Sequence, residues 1–211
     1  MPTRRRTAPL IALPLVVIAP FALGAPATGG AGTVDATWTP LVAYFLGAMV
    51  VSFVCSLLEA TLLSIGPATV EMLASQGKRS GTILRDLKKR VDRPLIAILT
   101  TNTIANMLGA AGVGAEAQTL AEAKGWEPGV VVLVAATVLT VAILVFSEIV
   151  PKTLGAAHSR ALAPPASYLL LGLVRLLWPV VIALEGVPKA IAGSDGPAGP
   201  RPAALDLRSR P

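Results

Sequence analysis

Apolar residues in this chain come in long blocks, not in the short periods of a soluble amphipathic protein. The first block runs from Leu41 to Ile65, the second opens at Pro94, and the third begins near Gly129 and is almost purely Val, Leu, Ala and Ile as far as Phe146. Each is long enough to cross a bilayer as a helix, which takes about 20 residues. Ala, Leu and Val dominate the blocks, and no stretch alternates in the manner of a membrane barrel strand, so the spans are expected to be helices. The pattern predicts an all-α integral membrane protein with three transmembrane helices, at about 40–65, 94–115 and 129–157.

The segments between the blocks carry the topology. Gly66-Pro67 stops the first span. Beyond it, Lys78, Arg79, Arg85, Lys88, Lys89, Arg90 and Arg93 outnumber Glu71, Asp86 and Asp92, which predicts a cytoplasmic loop. Ala68–Gln76 and Thr82–Val91 are helix-compatible and are separated by Gly77 and Gly81, so this loop is expected to form two short juxtamembrane helices. The loop at 116–128, with Glu116, Glu122 and Glu127 against Lys124, belongs outside. His158 and Arg160 mark the next cytoplasmic boundary. The segment at 161–190 is apolar but interrupted by Pro164, Pro165, Arg175 and Pro179. It predicts a kinked interfacial belt and not a fourth span.

The ends have their own signatures. Arg4, Arg5 and Arg6 before a short apolar run, then Ala25-Pro26-Ala27, predict a signal peptide or N-terminal anchor over residues 1–27. Residues 28–39 read as an extracytoplasmic lead-in, and 191–211, rich in Pro, Gly, Ala and Arg, as a disordered tail. The mature N-terminus is thus expected outside a bacterial-type plasma membrane, with the membrane lipid as an obligate partner.

Composition narrows the chemistry. Of 211 residues, 54% are hydrophobic and 14% charged, and the mean hydropathy is +0.69, which agrees with membrane residence. The net charge of +6 arises from basic residues flanking apolar blocks, where orientation explains it without nucleic acid. Cys55 is the only cysteine and His158 the only histidine. Internal disulfides, cysteine metal clusters and multi-histidine sites within one chain are therefore excluded. No nucleophile–base pair or phosphate loop is present, so an enzyme is not expected.

Polar residues inside the spans are the candidate functional groups. Ser52, Ser56 and Glu59 fall within roughly 60° of one another on a helix turning about 100° per residue, so they share a face. The second span carries Asn102 and Asn106, and the third ends in Ser147 and Glu148. At about 1.5 Å per residue, Ser56 lies roughly 15 Å and Asn102 roughly 12 Å from the basic end. Glu148 is level with them if the third span runs brokenly to His158. Pro151 has no N–H to offer the carbonyl of Ser147, four residues earlier, and so marks an expected helix break that frees this oxygen. Carboxylate, amide, hydroxyl and carbonyl oxygens without soft ligands suit a hard cation such as Mg²⁺. The competing readings are local. Intramembrane Ser commonly back-bonds to its own helix, Asn can join helices, and Glu148 can pair with Lys152 four residues on.

Taken together, Leu41 to Ala190 resembles the transmembrane domain of the CNNM/CorC magnesium transporters. The family's S-x-x-x-S-x-x-E pattern matches Ser52, Ser56 and Glu59, and its asparagine-threonine motif matches Asn102-Thr103, with Asn106 a turn later. Its G-E-x-x-P-K motif matches Ser147 to Lys152, with Ser147 standing where the family has glycine. The resemblance implies three transmembrane helices with juxtamembrane helices, usually as a homodimer. It also implies Mg²⁺ as the bound and transported ion, with Ser52, Ser56, Asn102, Ser147 and Glu148 as ligands. Glu59, Asn106 and Lys152 are assigned to gating or charge balance. Family members usually continue into a pair of CBS modules, which these 211 residues do not contain, so a separate CBS-containing protein is a candidate partner. Transport of Mg²⁺ or a related divalent cation is the leading expectation. A non-transporting scaffold or regulatory subunit that needs such a partner is the alternative.

Overall fold

A computed structural model describes residues 37–192, with side chains through residue 185. The expected targeting segment at 1–27, most of the lead-in and all but the start of the tail lie outside the described residues. Those that are described fold almost entirely into helices, and no strand occurs among them. In chain order these are α1 (Trp38–Ser64), α2 (Pro67–Ser75), α3 (Arg79–Lys89), α4 (Asp92–Lys124), α5 (Pro128–Ala142), a π-helical stretch (Ile143–Ile149), α6 (Val150–Ala157), α7 (Ser159–Leu176) and α8 (Trp178–Ala192). Three helical runs are long and apolar enough to span a membrane: Trp38–Ser64, Asp92–Lys124 and Pro128–Ala157.

The first span ends where expected, at Ile65-Gly66, and Pro67 starts α2 at a position where its missing N–H costs nothing. The two helices of the basic segment fold back on each other. Gly77 takes the left-handed conformation (φ 69°) that ends α2. Gly81 lies so close to α2 that a β-carbon there would sit 2.3 Å from the backbone nitrogen of Ala74. The Arg85–Glu71 ion pair (2.6 Å) closes the hairpin on its outer side. Lys88 donates to the carbonyl of Ile65 at the end of α1, and its partial burial lowers its pKa from the ordinary lysine value.

Helix α4 exceeds the expected second span, continuing to Lys124 where the apolar block ends near Ala115. Ala, Glu, Gln and Lys at 115–124 are strong helix formers, so the helix propagates beyond its hydrophobic part. It stops at Gly125 (φ 69°), with the Trp126 N–H returning to the carbonyl of Ala121. The expected loop at 116–128 shrinks to a three-residue turn.

The third span also departs from expectation. No break occurs at Pro151. The helix instead widens just before it, and the Val150 N–H bonds the carbonyl of Val145, five residues earlier. A π stretch inserts an extra residue per turn and absorbs the disruption that proline would cause in a regular helix.

The segment expected as a kinked belt forms α7 and α8, bent by 78° at Leu177. Pro164 and Pro165 lie within α7 without ending it, and the Ser167 hydroxyl donates to the carbonyl of Pro164 (2.7 Å). The sharp turn falls at Leu177 (φ −95°, ψ 16°), and Pro179 follows in the first turn of α8, where its missing N–H costs nothing. Arg93 ties α8 back to α4, pairing with both carboxylate oxygens of Glu185 (2.9 and 3.1 Å) while its guanidinium lies 5.2 Å from the Trp178 ring centre.

Helix α1 is the centre of the bundle, packed against α4 on one side and against the third span on the other. Small residues set both contacts. A β-carbon on Gly109 would lie 2.3 Å from the β-carbon of Ala48, and one on Gly112 would enter the ring of Tyr44. A β-carbon on Gly155 would lie 2.8 Å from the carbonyl of Leu57. On the same side, the fully buried Ser147 hydroxyl donates to the carbonyl of Met49 (3.1 Å).

Two stability changes follow. Gly109→Ala is expected to destabilise the purified protein by about 1–3 kcal/mol, and adding Ala48→Gly should recover most of the loss, read as thermal unfolding midpoints in detergent. Ser147→Ala should cost less, about 0.6 kcal/mol, the average for a hydrogen bond between membrane helices.

Candidate functional site

The register of the bundle sets which polar residues share a level. Gly109 meets Ala48 and Gly112 meets Tyr44, so α4 runs antiparallel to α1. Following that register brings Thr101 beside Cys55, and both line one crevice. Asn102 and Asn106 therefore lie within a turn of Ser52 and Ser56. The third span runs parallel to α1, since Ser147 bonds Met49 and Gly155 packs on Leu57, Ala60 and Thr61. Glu148 follows Ser147 and so falls beside the stretch of α1 that carries Ser52. All three expected patches thus occupy one level of the bundle, and the continuous π-containing helix produces the depth that the sequence obtained from a broken one.

Burial separates these residues from ordinary intramembrane hydroxyls. Thr101, Thr137, Thr140 and Thr153 each donate to the carbonyl four residues earlier, the usual way a helix absorbs such a group. Ser52 does not. Its hydroxyl is wholly buried and unpartnered, and so are the Oδ1 atoms of Asn102 and Asn106 and the hydroxyl of Thr61. A buried polar atom left unsatisfied costs about 1–3 kcal/mol. Three on one level amount to a sizeable fraction of the roughly 5–15 kcal/mol that holds a typical domain together. Ser56 is buried on the same face of α1.

Two expected acidic roles are redistributed. Lys152 does not pair with Glu148. Its ammonium lies 3.6 Å from Glu59 on α1, because Gly155 brings the two helices close enough for the lysine one turn away to reach across. Glu148 is half-buried and forms neither a hydrogen bond nor an ion pair among the described residues. Ser147 contributes its hydroxyl to Met49, so its side chain holds helices together instead of pointing an oxygen inward.

Below this level opens a cavity of about 520 Å³, lined by Glu59, Asn102, Asp92 and Glu185 among apolar residues of α4. Sequence reading had Glu59 and Asn102. It had no means of selecting Asp92, which resembles an ordinary first-turn acid, or Glu185, which lies in the segment read as interfacial. The cavity joins the first part of α4, the middle of α8 and the last turns of α1, and only folding makes them neighbours.

The arrangement offers hard oxygen donors without a dense charge cluster. Among the described residues no three His, Cys, Asp or Glu side chains converge to hold a metal. Hydroxyl and amide oxygens in a low-dielectric setting, with carboxylates nearby, suit a hard cation that keeps part of its water shell and is released again.

The transmembrane N-terminal domain of the cyclin M (CNNM) family matches residues 43–209. Among curated proteins, a UPF0053 protein of Synechocystis is 32% identical over 131 residues, covering 60% of this chain and 36% of its own length. The UPF0053 inner membrane protein YfjD of Escherichia coli is 29% identical over 133 residues, covering 63% of this chain and 30% of its own. A UPF0053 protein of Haemophilus influenzae is 30% identical over 151 residues, 72% of this chain and 32% of its own. The chain therefore spans about a third of the length of the curated relatives it matches. With that domain matched over residues 43–209 and three helices long and apolar enough to cross a membrane, the chain is a multi-pass membrane protein of the CNNM family.

Proposed function

We propose that this chain moves Mg²⁺ or a related divalent cation across a bacterial-type plasma membrane. The cation binds at the level of Ser52, Ser56, Asn102 and the Ser147-Glu148 turn. The observation that carries this reading is the set of buried, unpartnered oxygens of Ser52, Asn102 and Asn106. Their cost is offset when a cation, or the water it brings, supplies the missing partner. The positive-inside bias of Arg79–Lys89 and its flanking Lys78, Arg90 and Arg93 supports a cytoplasmic α2–α3 hairpin and an extracytoplasmic start of α1. On that orientation the carboxylate-lined cavity opens inward and concentrates cations beneath the site. Glu59 and Lys152 then act as a charge pair at its wall, where the lysine offsets one of the carboxylates. The wide π turn leaves the backbone around Ser147 able to change its hydrogen bonding, a feature common at functional sites. On the pattern that the resemblance implies, a transmembrane domain of this kind works as a homodimer.

The test is Mg²⁺ flux into proteoliposomes. Asn102→Ala and Glu148→Ala are each expected to reduce the rate at least about tenfold, the effect of removing roughly 1.4 kcal/mol of ion stabilisation. Flux equal to wild type in both variants would overturn the site. Asn102→Ala should also abolish thermal stabilisation of the purified protein by Mg²⁺, which separates lost binding from lost movement.

A further inference from the structure

The basic end of the bundle holds a second concavity, distinct from the carboxylate-lined cavity. It is a groove of about 290 Å³ that follows α3 and is bounded on the other side by α7. Its polar lining is mainly arginine: Arg79 at the start of α3, Arg90 just beyond its end and Arg175 on α7. The other two charges of the lining, Asp86 and Arg93, are matched, as is Arg85 nearby. Arg85 pairs with Glu71, Lys89 with Asp86, and Arg93 with Glu185. Among the described residues no carboxylate pairs with Arg79, Arg90 or Arg175. Asp86, the acid that lines the groove, is already engaged by Lys89.

The remaining wall is apolar, formed by Leu171 and Val174 of α7 with Trp178, which is 45% exposed. Pro94, where the hydrocarbon-compatible part of α4 begins, lies at the same rim. The groove therefore straddles the plane where the apolar spans give way to charge. Exposed tryptophan at that plane is a typical interfacial anchor. A ligand for such a place is anionic at one end and hydrocarbon at the other. Arginine recognises phosphate oxygens through paired N–H donors, and basic pockets between helices at a membrane surface suit phospholipid head groups.

We infer that the groove between α3 and α7 binds the phosphodiester head group of an anionic phospholipid, held by Arg90 and Arg175 with Arg79 at its far end. One acyl chain lies along Leu171 and Val174. A lipid seated there contacts α3, α7 and the bend before Trp178 together, and so braces the juxtamembrane helices against the spans.

The experiment uses the full chain purified from a membrane mixture with equal phosphatidylglycerol and phosphatidylcholine, with retained lipids counted by native mass spectrometry. Wild type is expected to favour phosphatidylglycerol by about tenfold, given roughly one such factor of binding per one or two interfacial arginines. The double substitution Arg90→Gln with Arg175→Gln should bring the preference below about twofold. Removing the same charge outside the groove, with Lys78→Gln and Arg160→Gln, should leave it unchanged. Millimolar inorganic phosphate should displace no lipid. The inference is overturned if wild type shows no preference, if the groove variant retains it, or if the control variant loses it equally. It is also overturned if phosphate competes the lipid away, because the occupant is then a free anion.

Discussion

In lipid, apolar helices gain nothing by leaving solvent, since the acyl chains are as apolar as their side chains. They associate through close packing and through the few polar contacts available. The bundle depends on how near α1 can come to its neighbours. Gly109 and Gly112 admit Ala48 and Tyr44, and Gly155 admits the backbone around Leu57. Once these surfaces meet, the relative heights of all three spans are determined. A single methyl group at Gly109 would alter the same register that brings Asn102 level with Ser56 and Asn106 level with Ser52.

This proximity also decides where polar groups end up. Several hydroxyls in the spans are absorbed by their own helices, as with Thr101 and Thr140. The Ser147 hydroxyl is used between helices. The oxygens of Ser52, Asn102 and Asn106 are buried and engage neither kind of partner. On the proposed reading their isolation is what a transported cation exploits. Charge is distributed in a related way. Glu59 is matched by Lys152 across the helix contact, and Glu185 by Arg93 where α8 folds back. The acidic cavity is therefore moderated on two sides by cations that packing delivers, while Arg79, Arg90 and Arg175 line the groove between α3 and α7 without a carboxylate partner.

The π stretch shows how a local rule can be right in its cause and wrong in its outcome. Proline at 151 cannot satisfy the carbonyl four residues earlier, and the chain responds at that place. A break would leave several backbone groups unpaired in hydrocarbon, each costing several kcal/mol, whereas a wider turn keeps most of them bonded. The helix therefore continues to Ala157, and Glu148 reaches the depth expected of it without interruption.

Much of the architecture was legible in the chain alone. Three long apolar blocks predict membrane helices, and Gly66-Pro67 and Gly77 bound the neighbouring elements by conformational rules that need no partner. The intramembrane Ser52, Ser56, Asn102 and Glu148 stood out because polar groups are scarce there. The end of α4 was set locally as well, by helix propensity through 115–124 and by Gly125, but a boundary drawn from hydropathy stops short of it. Other features were decided by tertiary structure. The pairing of Lys152 with Glu59 in place of Glu148 followed from the close approach at Gly155. Asp92 and Glu185 joined Glu59 and Asn102 around one cavity although nothing in their local sequence distinguishes them. Hydrophobic pattern and backbone stereochemistry act over a few neighbouring residues, so they can be read along the chain. Distances between side chains on different helices depend on how small residues let those helices meet, and that is settled only when the bundle has formed.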